Sequence, residues 1–179
     1  MVPVGAMAKD TADLLSWLPS IAIFGGLEEK TLLRIIGMLQ EHSFGPKDVV
    51  CKQGDAGRAM YLIREGEVVV CRDTPEGRRI KMVRMGSGEF FGEMTLIDIQ
   101  KRSATVVVQK PSLLYSLSNR DLYSLYTEDV PGYVMVLQNI CRELSRRLRV
   151  TNSRIQTMAE EADRNDESTL IARQPVKRG

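Results

Sequence analysis

Cysteine is scarce in this sequence and histidine scarcer. The three cysteines (Cys51, Cys71, Cys141) are odd in number, lie far apart and form no CxxC pair, so no disulfide framework or redox motif is read. His42, near the end of a helical stretch, is the only histidine. Structural zinc is thereby left almost without ligands, and no nucleophile–base pair can be assembled. An iron–sulfur sensor would need a cysteine cluster that the spacing denies. Neither enzyme chemistry nor a cofactor is expected. Charge of one sign is lacking too: 25 Lys+Arg against 23 Asp+Glu leave +2, too near neutral to announce nucleic acid or lipid. No apolar run reaches the roughly 18–20 residues of a crossing helix. The nearest, Leu14 to Leu27, is interrupted by Ser16, Pro19 and Ser20 and lacks the basic start and cleavage site of a signal peptide. It reads as a short amphipathic helix covering part of the core. A reduced, cytoplasmic protein with no membrane partner is the expectation.

What is present is ordinary globular usage, 43% hydrophobic and 27% charged over 179 residues, enough for one domain with appendages. Four zones are read. Residues 1–26 form a helical extension ending in the turn Phe24-Gly25-Gly26. Residues 27–130 hold the main domain. It opens with helical spacing from Leu27 to Gln40, with Leu32, Leu33, Ile35, Ile36 and Leu39 largely on one side. From Phe44 to Leu117, β-branched runs (Val49-Val50, Val68 to Val70, Val106 to Val108) alternate with turn signals at Gly45-Pro46, Gly54-Asp55, Glu65-Gly66, Thr74 to Gly77 and Gly86-Ser87-Gly88. That spacing predicts an α+β fold: an antiparallel jelly-roll barrel flanked by an N-terminal helix and C-terminal helices. Ser118 and Asn119 open a short helix ending near Thr127.

Residues 131–162 form a long helix, with Pro131 suited to its first turn. Its residues Leu137, Cys141, Leu144, Leu148, Thr151, Ile155 and Met158 follow steps of four and three, a heptad seam. The first half could pack on its own barrel. The second half projects beyond a barrel of this size, so a parallel homodimer is expected. Residues 163–179 turn polar and read as a disordered tail.

The chemistry is concentrated in Phe90-Phe91-Gly92-Glu93-Met94-Thr95-Leu96 and Lys101-Arg102-Ser103-Ala104-Thr105-Val106. Gly92 allows close backbone approach to a ligand. Glu93 is a carboxylate before the first turn of a short helix whose free N–H groups suit an anion. Arg102, nine residues later, can fork onto two phosphate oxygens, Ser103 adds a hydroxyl donor, and Ala104 keeps the strand entrance small. One acceptor for sugar hydroxyls beside several phosphate donors describes a site for a compact nucleotide. Gly86-Ser87-Gly88 only superficially matches a dinucleotide loop, because the third glycine is one residue late and no long helix follows. It reads as a hairpin turn.

Taken together, the Phe-Gly-Glu…Arg-Ser-Ala-Thr string resembles the phosphate-binding cassette of the cyclic-nucleotide-binding domains, the likeness running from about Phe24 to Met158. The resemblance implies that Glu93 accepts the ribose 2′-hydroxyl, that Arg102 and Ser103 bind the cyclic phosphate, and that the backbone of Gly92, Glu93, Met94 and Thr95 completes the cradle. Arg146 to Asn152 resembles the central helix of the catabolite activator proteins. By that likeness Thr151 and Asn152, the latter a departure from serine, meet the edge of the base. The same resemblance implies that Arg147 pairs with Glu93 and that Val70, Met82 and Val83 wall the base. The other reading of Thr151 is a hydroxyl bonded back to its own helix.

The family reading implies a cAMP-binding regulatory module, with cGMP as the other ligand the cassette admits. A changed helix position or surface would be read by a separate, unidentified downstream protein. The other reading is a transcription regulator of the same superfamily, represented by its sensor half. Only about twenty polar residues follow Met158, so no helix-turn-helix is expected. The arginines Arg142, Arg146, Arg147, Arg149 and Arg154 read as a solvated face, and nucleic acid is not the expected partner.

Overall fold

The computed structural model describes residues 10–98 and 100–172. Its chain order begins with helix α1 (Thr11–Trp17), two single 3₁₀ turns (Leu18–Ser20 and Ala22–Phe24) and α2 (Glu29–Met38). Strands β1 (Gln40–Phe44), β2 (Val49–Cys51), β3 (Ala59–Asp73), β4 (Arg79–Gly86) and β5 (Phe90–Phe91) follow. Then come α3 (Met94–Ile97), β6 (Thr105–Ser118), α4 (Asn119–Glu128) and α5 (Val130–Ala172). Contacts divide the chain into two compact units, Met1–Ile140 and Cys141–Gly179.

The lead-in is not the single amphipathic helix read over Leu14 to Leu27. Asp10 caps α1 through the amides of Ala12 and Asp13, and Pro19 forces the chain out of α geometry into the 3₁₀ turns. Leu14, Leu18, Ile21, Ile23 and Phe24 are nonetheless all buried. Arg64 ties α1 to the barrel: it pairs with Asp13 at 2.7 and 2.8 Å and lies over the Trp17 ring. In α2, Leu32, Ile35 and Ile36 are buried, whereas Leu33 is exposed. Its run of adjacent apolar residues is wider than the face that α1 and α4 cover. Gln40 belongs to β1.

The barrel is antiparallel in the order β1-β6-β3-β4, with β2 added on β6 and β5 on β3. Its interior is filled by Ile63, Val68, Met85, Phe91, Val106, Val108 and Leu114. Two sequence signals are corrected here. Glu65-Gly66 is no turn between strands, because β3 runs unbroken through it and the register against β6 shifts there. Gly66 adopts φ 96°, and a Cβ on it would collide with Ser112 and the Pro111 carbonyl, so the glycine makes a bulge that bends the strand. Gly86-Ser87-Gly88 is no hairpin: β4 and β5 both pair with β3 and not with each other. His42 lies inside β1, with its Nε2 2.8 Å from Ser116 Oγ. Burial holds its pKa below the ordinary imidazole value.

Ser118 caps α4 by accepting from the Asp121 amide at 3.0 Å. The α4–α5 corner is held to the lead-in and α2 by three polar ties. Arg34 pairs with Glu128 at 2.7 Å, and the Thr31 hydroxyl donates to Asp129. Asn139 Nδ2 donates to the carbonyls of Ile23 and Gly25 at 3.2 and 2.9 Å. α5 continues to Ala172, past the end read near Ala162; the rest of the expected tail, 173–179, lies outside the described residues. Among the described residues no helix is long and apolar enough to cross a membrane.

Candidate nucleotide-binding site

β5 pairs with β3 through Tyr61↔Phe91 and Leu62↔Phe90 and buries both phenylalanines. That anchors the chain just before it turns at Gly92, φ 78°. Glu93 follows, buried, and begins the single turn α3. Part of the expected amide cradle is already used: the Thr95 amide donates to Gly92 O at 3.2 Å and the Leu96 amide to Glu93 O at 3.0 Å. Thr95 is buried; its hydroxyl donates to Gly92 O at 2.8 Å and reaches Ala59 O at 3.3 Å. Its methyl fills the space where a Cβ on Gly57 would stand.

Arg102 is positioned by backbone on both sides. Its amide donates to Asp55 O at 2.7 Å and its carbonyl accepts from Gly54 N at 2.9 Å. Only 9% of it is exposed. Nη2 donates to Ala59 O at 2.6 Å, and the guanidinium carbon sits 5.7 Å from the Tyr61 ring centroid. Nη1 is buried and has no hydrogen-bond partner among the described residues. A buried charged donor left unpaired is costly, so this nitrogen marks where an anionic oxygen is wanted. Burial pushes the neighbouring Cys51 thiol and Tyr61 phenol up in pKa, and the Arg102 charge opposes both shifts.

Gly92, Thr95 and Arg102 thus converge on Ala59 at the start of β3, with Glu93 buried beside Gly92 in the chain, Ser103 and Met94 exposed and Ala104 partly buried. Val70 and Val83 are cross-strand partners on β3 and β4. Val70 is half-buried and Val83 exposed, while Met82 is exposed at the point where the register shifts. Tyr61, the Ala59 carbonyl and the 54–57 loop were not singled out in the sequence. Gly54-Asp55 announced a turn, but nothing local announced that this turn grips Arg102.

The second unit is described by itself. The Thr151 hydroxyl donates to the Arg147 carbonyl at 3.0 Å, as in the back-bonding reading, and Asn152 is exposed. Arg147 Nε donates to Glu143 at 2.8 Å and Arg146 binds the same carboxylate. These bonds hold the Glu143 carboxyl below its usual pKa.

Residues 41–129 match the family model described as the cyclic nucleotide-binding domain. The chain belongs to that family. It is 34% identical over 136 residues to the mouse cyclic nucleotide-gated channel alpha-4, covering 73% of this chain and 23% of that one. It is 29% identical over 143 residues to the cyclic AMP receptor protein of Thermus thermophilus, covering 80% of this chain and 64% of that one. A crystal structure of a cyclic nucleotide-binding domain from Methylobacillus flagellatus superposes with a TM-score of 0.74 at 27% identity, over 84% of each chain. The chain therefore spans about a quarter of the channel relative and under two thirds of the receptor protein.

Proposed function

We propose that this chain is a non-enzymatic, cytoplasmic cAMP-binding regulatory module. One observation carries the reading: a buried guanidinium, Arg102, whose Nη1 is unpaired and stands against Gly92, where a side chain would displace it. A cyclic phosphate supplies the oxygen that nitrogen lacks. Glu93, buried next in sequence, accepts the ribose 2′-hydroxyl, and Ser103 adds a donor at the rim. Val70, Met82 and Val83 line the base. The name of the Thermus relative, a cyclic AMP receptor protein, supports adenine, and the free thiols of Cys51, Cys71 and Cys141 support a reducing compartment.

Thr151 and Asn152 read the base in this proposal. The nucleotide binds one arrangement of α5 better than another, and the difference is what a separate protein detects. A second copy joins through the α5 seam. Titration calorimetry with cAMP on the parent and Arg102→Ala tests the reading. Loss of a charge-assisted contact in a closed pocket costs about 2–5 kcal/mol, about thirtyfold or more in affinity. An Arg102→Ala affinity within about threefold of the parent overturns the assignment.

A further inference from the structure

Nη2 of Arg102 is tied by one bond, to Ala59 O at 2.6 Å, and one hydrogen bond is only an axis about which the guanidinium can swing. Nη1, unpaired among the described residues, needs a second restraint if it is to point at a ligand. Gly92 stands against it on one side. Tyr61 supplies the other boundary, with the guanidinium carbon 5.7 Å from its ring centroid, inside cation–π range. That ring is itself held. Tyr61 pairs with Phe91 on β5 and Ser116 on β6. The Phe91 ring stacks on it at 5.3 Å, and the His42 ring stands edge-on at 6.0 Å, its Nε2 2.8 Å from Ser116 Oγ. Ala59 and Tyr61 are alternate residues of β3, so one strand provides both the acceptor and the ring.

We propose that Tyr61 is a positioning residue for the nucleotide phosphate, its π face holding the plane of Arg102 so that Nη1 is aimed before the ligand arrives. This rests on the reading of Arg102 as the phosphate ligand. A planar cation laid against a fixed ring loses the swing that the Ala59 bond permits, and a donor aimed in advance costs less to order on binding. The choice of an aromatic also has a chemical reason. A carboxylate beside Arg102 would consume its N–H groups in an ion pair and compete with the phosphate. The face of a ring offsets the buried charge and takes up none of the in-plane donors. An aliphatic side chain would fill the space without attracting the cation. The phenol oxygen is not part of the contact, so Phe serves at this position as well as Tyr.

The test places phenylalanine at position 61 of the full chain, then its mono-, di- and trifluorinated forms by suppressor-tRNA incorporation. Fluorine drains the face of the ring while nearly keeping its shape, so a packing role is untouched and a cation–π role weakens step by step. Calorimetry with cAMP should put Tyr61→Phe within about threefold of the unsubstituted chain and the trifluorinated form about tenfold below Tyr61→Phe, with the others between. The same series on Arg102→Met should be flat. Melting temperatures without nucleotide read the contact independently: they should fall along the series with Arg102 present and stay level with Arg102→Met. An affinity that is flat across the series, or that falls equally in Arg102→Met, overturns the positioning role and leaves the cAMP reading standing. An unsubstituted chain that binds no cAMP while the melting temperatures still track fluorination overturns the cAMP reading, and the positioning role with it.

Discussion

The place a Cβ would take on Gly92 is already filled by Nη1 of Arg102, and the same carbon would lie 3.3 Å from the Ala59 carbonyl oxygen. The glycine and the arginine are one device: the turn at φ 78° brings backbone close enough to wall the guanidinium in, and only a residue without a side chain leaves it room.

Gly92→Ala should therefore act on binding and stability together. The strained backbone costs on the order of 1–3 kcal/mol, and Arg102 is pushed out of line with its ligand. We expect cAMP affinity to fall at least tenfold in calorimetry, with a lowered melting temperature. A variant that binds as the parent does would show that the close packing plays no part in recognition.

Arg102→Met should separate the two properties. The substitution removes a buried charge with an unpaired nitrogen and keeps the length and apolar stem of the side chain. Replacing such groups by apolar ones is often neutral or stabilising. The ligand-free melting temperature should hold or rise while nucleotide affinity falls about a hundredfold. A large loss of ligand-free stability would mean that the bond from Nη2 to Ala59 O outweighs the orphaned Nη1.

Base selectivity turns on one proton. The Thr151 hydroxyl spends its hydrogen on the Arg147 carbonyl, which leaves the oxygen as an acceptor. Adenine offers an amino donor where guanine offers a carbonyl. With Thr151 at the base, cAMP should be preferred over cGMP by about fivefold or more, a matched polar contact being worth about 1–3 kcal/mol. Competition binding on Thr151→Val should bring the two nucleotides within about threefold of each other. Equal affinities for the unsubstituted chain would remove Thr151 from the site.

Asp129 gives a pH prediction. The hydroxyl of Thr31 first, then the Gly132 amide, hold its carboxyl below the usual range. A group depressed on folding contributes stability above its unfolded pKa of about 3.9 and loses it as pH falls through the folded value. Asp129→Asn should be less stable than the parent at neutral pH, and the gap should close as pH drops below about 4 in urea titrations. A gap independent of pH would assign the cost to packing around Gly132, where a Cβ would already meet Thr31 Cγ2 at 2.6 Å.

The cassette was legible because it is contiguous: glycine, carboxylate, helix turn and arginine follow one another along the chain. The jelly roll was legible in its strand and turn signals. What escaped was long-range pairing. Gly66 signals a positive φ, and only Ser112, far along on β6, decides that it makes a bulge and not a turn. Tyr61 is one aromatic among several on alternating strands, and its place beside Arg102 depends on β3, β5 and the 54–57 loop meeting. Leu33 shows the converse, a periodic apolar residue left exposed.

The unpaired Nη1 also bears on how long a molecule lasts. A chain whose pocket holds a buried, unmatched charge opens more often than one in which an anion completes it, and proteolysis samples the open form. Ligand binding closes that route by mass action, by about 2.7 kcal/mol at a hundredfold excess over its dissociation constant. On the proposed function, the half-life of the protein in a cell then lengthens as cyclic nucleotide rises. Its abundance becomes a slow record of the signal, persisting after the bound molecules have exchanged many times.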